Sequence, residues 1–256
     1  MRRFTAPNRN HDYSFNFWEG CRKLSEGCTN CSMFIAQKGR KKDPENVRLC
    51  TSTWENPRKE QRDTERAGEC RSVLACTYSD FFLPEADAWR DDAWALIRET
   101  PNLVWMLASK RTHFIAKRLP SDWGNGYRNV RLGTSVELKK YLSRLDELRR
   151  IPCELRWLDL APMLEDLMPK LAEHIDGFGW VIASGESGCN AVEPRPFDLQ
   201  WAKNVRDMCS SRGIPFYFSH TAVKGYCRKG SPSPDRLLDG VEHNGVPPLP
   251  CAPVRH

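Results

Sequence analysis

Long apolar runs are missing from this chain. No stretch approaches the ~20 residues needed to span a bilayer, and Met1-Arg2-Arg3-Phe4 leads into polar residues, not an apolar signal segment. The expectation is a cytoplasmic protein with no membrane partner. Repeats at solenoid periods are missing too, which sets aside an array architecture. Cysteine is plentiful, but its eleven copies are an odd number without a secretion signal. That argues against a complete disulfide framework and for metal binding by some of the thiols. The acidic residues are dispersed, so the carboxylate cluster of a divalent-metal nuclease is not in view.

What is present is a chain of 256 residues with 40% hydrophobic content, enough for one sizeable core in one domain. The net charge of +6 favours an anionic partner such as nucleic acid, although solvated helix faces account for it equally well. Seven short segments read as buried strands, each apolar, rich in β-branched or aromatic residues and bounded by polar or turn residues. They are Tyr13–Phe17, Val73–Tyr78, Leu103–Ser109, Val130–Val136, Leu155–Leu160, Trp180–Ser184 and Ile214–Ser219. Helical spacing runs over 85–98, 112–118, 138–150, 164–175 and 198–212, the last with Leu199, Ala202, Val205 and Met208 at three-residue steps.

Strands alternating with helices imply βαβ units and a parallel sheet, as a barrel or as an open doubly wound sheet. In both, ligands collect beyond the carboxyl ends of the strands, and here those ends are polar. They carry Ser79-Asp80, Ser109-Lys110-Arg111, Ser135 with Glu137, Asp159, and Ser184-Gly185-Glu186-Ser187. Five successive polar ends point to one shared site. The charged segment 38–71, with Pro44 and Pro57, reads as an excursion holding a short helix around 58–68. Residues 1–225 form the expected main domain, and 226–256, dense in Pro and Gly, a C-terminal extension.

The strongest local signal is Gly20-Cys21 through Gly27-Cys28-Thr29-Asn30-Cys31, which spaces three thiols over eleven residues. Three thiolates on one loop hold three corners of a cubane iron–sulfur cluster and leave its fourth iron open. A structural zinc wants a fourth protein ligand, and none follows Cys31 at zinc-finger spacing; Cys50 is the nearest spare thiol. Spacing alone leaves cluster and zinc open. Placement favours the cluster, because the loop follows the first strand and opens a helix near Ser32, beside the polar strand ends. Cys70, Cys76, Cys153, Cys189, Cys209, Cys227 and Cys251 stand alone and receive no role.

These blocks, together with Ser79-Asp80-Phe81-Phe82, Glu99-Thr100-Pro101, Leu132-Gly133-Thr134-Ser135-Val136-Glu137, Gly185-Glu186-Ser187-Gly188, Gly213-Ile214-Pro215-Phe216 and Leu238-Asp239-Gly240, resemble the phage and bacterial three-cysteine radical-SAM-like proteins over residues 18–240. The resemblance implies an α/β fold, a partial (β/α)6-type radical SAM barrel with parallel strands and a C-terminal extension. It implies a 4Fe–4S cluster on Cys21, Cys28 and Cys31, with S-adenosyl-L-methionine bound to it. By strand order, Ser79 and Asp80 would lie near the methionyl amine, and Ser135 and Glu137 near the ribose diol. Ser184, Gly185 and Glu186 would line the adenine or methionyl side. Lys110, with Arg111, would pair the methionyl carboxylate or a substrate phosphate. Each has a plain alternative: helix capping for Ser135, Glu137 and the 184–187 turn, turn chemistry for Asp80, surface for Lys110 and Arg111.

Three departures from the family's pattern fall near the expected substrate: Ser32 in place of an aromatic residue, Ala161-Pro162 in place of Glu-Pro, and Ser219-His220-Thr221 in place of Lys-Gln-Trp. Asp159 partly replaces the lost carboxylate. His220, Tyr217 and Arg195 are the candidate catalytic or substrate-contacting residues. The activity implied is 5′-deoxyadenosyl radical formation, driven by a reductase or flavodoxin-type electron donor, and isomerisation or other modification of a nucleobase. Hypermodified thymine in phage DNA is the concrete expectation, in the host cytoplasm, with Trp54, Trp89 and Trp123 available around the mouth for an extruded base. The alternative is a non-catalytic nucleic-acid-binding protein stapled by zinc or a cluster.

Overall fold

The computed structural model describes residues 2–3, 10–188, 192–224 and 235–250. Cys189, Cys227, Cys251 and the run Gly230–Pro234 lie outside the described residues. Seven parallel strands stand side by side in chain order: β1 (Tyr13–Phe15), β2 (Arg71–Ala75), β3 (Leu103–Ala108), β4 (Val130–Ser135), β5 (Leu155–Leu160), β6 (Trp180–Ala183) and β7 (Phe216–Phe218). The sheet curls into a half-barrel, and β1 and β7 are not hydrogen-bonded to each other. Arg2–Arg3 adds a short antiparallel edge beyond β1. Sequential parallel order requires each crossover to return on the same face, so the intervening helices α1 (Ser32–Gly39), α2 (Asn56–Ala67), α3 (Asp87–Arg98), α4 (Thr112–Ile115), α5 (Ser143–Arg149), α6 (Leu171–His174) and α7 (Leu199–Ser211) leave the inner face free.

Both faces of these strands are buried, which is why they read as continuous apolar runs and not as alternating ones. Side-chain parity then sorts them into two cores. Val73, Leu103, Trp105, Leu107, Leu132, Leu158, Leu160 and Val181 point outward into the main core, packing with helix residues such as Trp94, Leu96, Leu145 and Val205. Met106, Trp157, Trp180, Ile182 and Tyr217 form a second cluster inside the curl, with Leu74 and Ala108 against it. Each fully buried large apolar side chain stabilises the fold by roughly 1.5–3 kcal/mol.

Local signals set the helix ends. The Asp198 carboxylate accepts from the Gln200 N–H (2.8 Å) and caps α7, whose buried face is Ala202, Val205, Met208 and Cys209. Gly68 at φ +64 ends α2, the helix expected around 58–68. The helical stretch expected over 164–175 is reduced to α6, because Pro169 has no N–H to donate and the preceding backbone is used elsewhere. There the Met163 N–H donates to Ser184 O (2.9 Å) and the Leu164 N–H to Glu137 O (3.1 Å), tying that loop across the strand ends. The lower end of the barrel is closed by residues 241–248. The Phe218 N–H donates to His243 O (2.9 Å), Trp180 Nε1 to Gly245 O (2.8 Å), and the buried Arg131 to Pro248 O. No helix among the described residues is long and apolar enough to cross a membrane.

Candidate functional site

The inner cluster fills only the lower part of the curl. Gly133 on β4 faces Trp157 on β5, and a Cβ at Gly133 would lie 2.3 Å from Trp157 Cε2, so the indole rests across the neighbouring strand only because no side chain stands there. Trp157, Ile182, Leu74 and Ala108 thereby make an apolar floor, above which a cavity of about 370 Å³ opens at the carboxyl ends of the strands. One side-chain layer higher, Ser135 and Asp159 face each other in register from β4 and β5.

The cysteine loop lies across this mouth. Gly20, at φ +94, packs its backbone against Asn46, where a Cβ would fall 2.4 Å from the carbonyl oxygen. From there each tie runs to a strand end. The Gly20 N–H donates to Tyr78 O (3.0 Å), and Arg111 Nη2 to Arg22 O (2.6 Å). The Gly27 N–H donates to Glu137 Oε1 (3.3 Å), Asn30 Nδ2 to Glu186 Oε2 (2.9 Å), and Arg195 Nη1 to Glu26 O (2.9 Å). Cys28 closes a tight turn over Glu26–Cys28, and Cys31 precedes α1. Cys21, Cys28 and Cys31 all line the cavity. Among the described residues, no three His, Cys, Asp or Glu side chains converge closely enough to form a ready-made metal site.

The thiols differ in their surroundings. Burial pushes the Cys21 thiol up to about 12, and Asp80 and the other two cysteines add to the effect. Burial also acts to raise Cys28, but the Lys110 ammonium, 3.9 Å from its sulfur, and hydrogen bonds from the loop at Leu24 and Ser25 outweigh it and hold the thiol below its ordinary value. Lys110 also reaches Ser25 Oγ (3.3 Å) and Glu137 Oε1 (3.4 Å). Glu137, fully buried, pairs with Arg144 as well (3.1 Å).

Of the residues singled out from sequence, Ser79, Asp80, Lys110, Ser135, Ser184, Gly185 and Glu186 line the same cavity as the three cysteines. Glu137 sits just beneath the loop as the hub of its ion pairs and does not cap α5 by its side chain. Asp80 accepts from Ser109 Oγ and Arg111 Nη1, both at 3.0 Å, and from the Phe82 N–H (2.9 Å), so it fixes the β2 and β3 ends together. Arg195, Tyr217 and His220 do not line the cavity. Arg195 clamps Glu186 through its backbone N–H (2.9 Å) and its guanidinium. Burial acts to raise Glu186, but these contacts and Asn30 outweigh it and hold the carboxyl below its ordinary range. Tyr217 belongs to the inner cluster, its hydroxyl accepting from Arg236 Nη2 (2.9 Å). His220 lies behind the 184–187 turn, with Nδ1 donating to Thr221 O (2.7 Å) and Nε2 at 3.1 Å from Ser187 Oγ. Burial acts to hold its ring below the ordinary histidine value. Trp54, Trp89 and Trp123 pack against the outer core; the cavity's indole is Trp157.

One lining residue carried too little signal to be placed from sequence. Cys76, buried at φ +55, brings a fourth thiol to the cavity, pushed up by burial. A lone cysteine after a strand looks like any small buried residue. Asp159 lines the cavity as the polar end of β5 suggested, but its surroundings were not readable: burial pushes its carboxyl up to about 7 against the lowering effect of Lys110 and Ser135.

A half-barrel of seven sequential parallel strands with a cysteine loop across its carboxyl end is the class of protein that fold and site define together. The chain belongs to the family described as protein of unknown function (DUF5131), which matches residues 9–247. Comparison with curated proteins returns no match. The fold is similar to that of spore photoproduct lyase complexed with dinucleoside spore photoproduct, with TM-score 0.51 and 13% identity over 80% of this chain and 75% of that one. A mutant spore photoproduct lyase with bound AdoMet and dinucleoside spore photoproduct gives TM-score 0.49 and 14% identity over 77% of this chain and 61% of the other.

Proposed function

We propose that this chain is a radical S-adenosylmethionine enzyme acting on a nucleobase. The observation that carries the reading is that three thiols of one loop share a single cavity with the polar ends of five successive strands. The donor set fits the group: three cysteines of one loop suit a 4Fe–4S cluster with one open iron, whereas a closed zinc site would need a fourth ligand, and the cavity's fourth thiol, Cys76, lies off the loop, buried after β2, where burial disfavours its thiolate. Cys21, Cys28 and Cys31 would hold the cluster. Held there, the cluster would supply one-electron cleavage of the sulfonium C–S bond of S-adenosylmethionine, methionine leaving, and so radical hydrogen-abstraction chemistry.

The chain's own groups orient and enclose. Lys110 favours the thiolate of Cys28, the form that binds metal. The hydroxyls of Ser79, Ser135 and Ser184 would offer hydrogen bonds to an amino acid, a ribose and an adenine, with Gly185, whose N–H is spent on His220 O (2.9 Å), lining the same wall. Arg195, through Glu186, holds the loop to β6. The apolar floor excludes water beneath the reacting atoms. Arg22 at the mouth, paired with Glu85 (2.9 Å) and Glu45 (3.7 Å), and the exposed Lys23, bonded to Thr29 O (3.0 Å), are the cations nearest to where phosphates of a nucleic acid would approach. A dinucleoside in the structurally similar spore photoproduct lyase supports a nucleobase substrate. The finer reading is isomerisation or another modification of a base, hypermodified thymine in phage DNA among them, with a flavodoxin-type or reductase donor.

Metal analysis tests the reading. Anaerobic reconstitution with iron and sulfide is expected to load about four irons per chain, and to fail in Cys21→Ala, Cys28→Ala and Cys31→Ala. Tight stoichiometric zinc, with no iron uptake, would overturn it.

A further inference from the structure

Among the described carboxylates that line the cavity, Asp159 is the one that forms no ion pair. Asp80 is paired with Arg111 and Glu186 with Arg195. The charged groups that reach Asp159 electrostatically are Lys110 and Glu137, of opposite sign, and neither forms an ion pair with it. Among the described residues its one hydrogen bond is from Ser135 Oγ to Oδ2, at 3.3 Å, and the half-buried side chain lines the cavity. A carboxyl group that makes a single protein hydrogen bond in a cavity wall keeps capacity for a ligand's donors and acceptors.

Its surroundings restrict that ligand. Asp159 stands directly above the floor, two residues along β5 from Trp157 and in register with Ile182 on β6. A group resting on that floor presents a flat apolar face to Trp157, Ile182 and Leu74 and an edge to the carboxyl. We propose that Asp159 is the specificity residue for the N–H/C=O edge of a cyclic imide or lactam, as on a pyrimidine or oxopurine nucleobase. This deepens the nucleobase reading and rests on it. A carboxyl group meets such an edge with two hydrogen bonds: one oxygen accepts the ring N–H, and the other, carrying the proton, donates to the adjacent carbonyl oxygen. That pairing needs the acid in its neutral form, which burial favours here. An asparagine offers the same pattern, with its carbonyl accepting and its amide donating. An ammonium ligand, by contrast, would require the carboxylate's charge.

Calorimetric titration of the full chain with thymidine, the simplest probe with that edge, and with N3-methylthymidine separates these cases. Wild type is expected to bind thymidine and to bind the methylated nucleoside at least about tenfold more weakly, since the methyl group removes the donor and leaves Asp159 unpaired. Asp159→Asn is expected to keep both the binding and the discrimination, and Asp159→Ala to lose both. Equal binding of the two nucleosides would overturn the proposal, as would no binding of thymidine. An Asp159→Asn variant as impaired as Asp159→Ala would assign the site to a cation. Weakened binding of S-adenosylmethionine in Asp159→Ala, with thymidine unaffected, would assign it to the cofactor. Failure of iron uptake alongside intact thymidine discrimination would remove the radical reading and leave this one standing.

Discussion

Glu137 is the most consequential single side chain that the structure places outside the cavity wall. It is fully buried, and its two oxygens face Lys110 at 3.4 Å and Arg144 at 3.1 Å while one also accepts from the Gly27 N–H at 3.3 Å. Glu137→Ala strands two cations whose side chains are only 17% and 7% exposed. Removing one partner of a buried pair costs about 3–5 kcal/mol, a large share of the ~5–15 kcal/mol that holds a domain folded. For a chain of this size that corresponds to a fall in Tm of roughly 6–20 °C. Glu137→Gln keeps the volume and the acceptor for Gly27 and loses the charge, so it is expected to cost less, about 1.5–3 kcal/mol. Urea and thermal unfolding of the metal-free protein read both. Glu137→Ala within about 1 kcal/mol of wild type would refute the view that this carboxylate anchors the cysteine loop to β4.

Gly133→Ala drives a methyl group into the Trp157 indole and is expected to destabilise by about 1–3 kcal/mol, read by the same unfolding curves. In metal-free protein at pH 8, iodoacetamide followed by peptide mass mapping is expected to label Cys28 well before Cys21, because Lys110 favours one thiolate while burial suppresses the other. Asp159 is raised from 3.8 to about 7 on folding, so the folded state holds the extra proton between those values and wild-type stability falls as pH rises through that window. Asp159→Asn, which does not titrate, is therefore expected to gain on wild type between pH 4 and pH 8 in chemical denaturation; an unchanged difference would contradict it.

The strands were legible because burial on both faces leaves a run of apolar residues bounded by polar ones: six of the seven expected segments contain the strand found, and the seventh, Val73–Tyr78, overlaps β2, which begins two residues earlier at Arg71. The cysteine loop was legible for a different reason, its spacing between a strand and the start of α1. What the sequence hid was pairing between distant loops. Glu137 read as a ribose ligand or a cap because nothing local reveals that Gly27, Lys110 and Arg144 meet it. Arg195 read as a substrate contact because its partner, Glu186, is brought to it by the turn after β6. Tyr217 points into the inner cluster by strand parity, which could be counted once the inward positions of β5 and β6 were known. Nothing local sets Trp157 apart from the chain's other tryptophans; the register with Gly133 makes it the cavity floor.

Cleavage of S-adenosylmethionine in this cavity is the most direct consequence of the proposed chemistry. Reconstituted protein, reduced with dithionite and incubated anaerobically with S-adenosylmethionine, is expected to release 5′-deoxyadenosine detectable by liquid chromatography and mass spectrometry, and Cys28→Ala is expected to release none. Protein that takes up its full complement of iron and sulfide yet forms no 5′-deoxyadenosine above the Cys28→Ala background would contradict it.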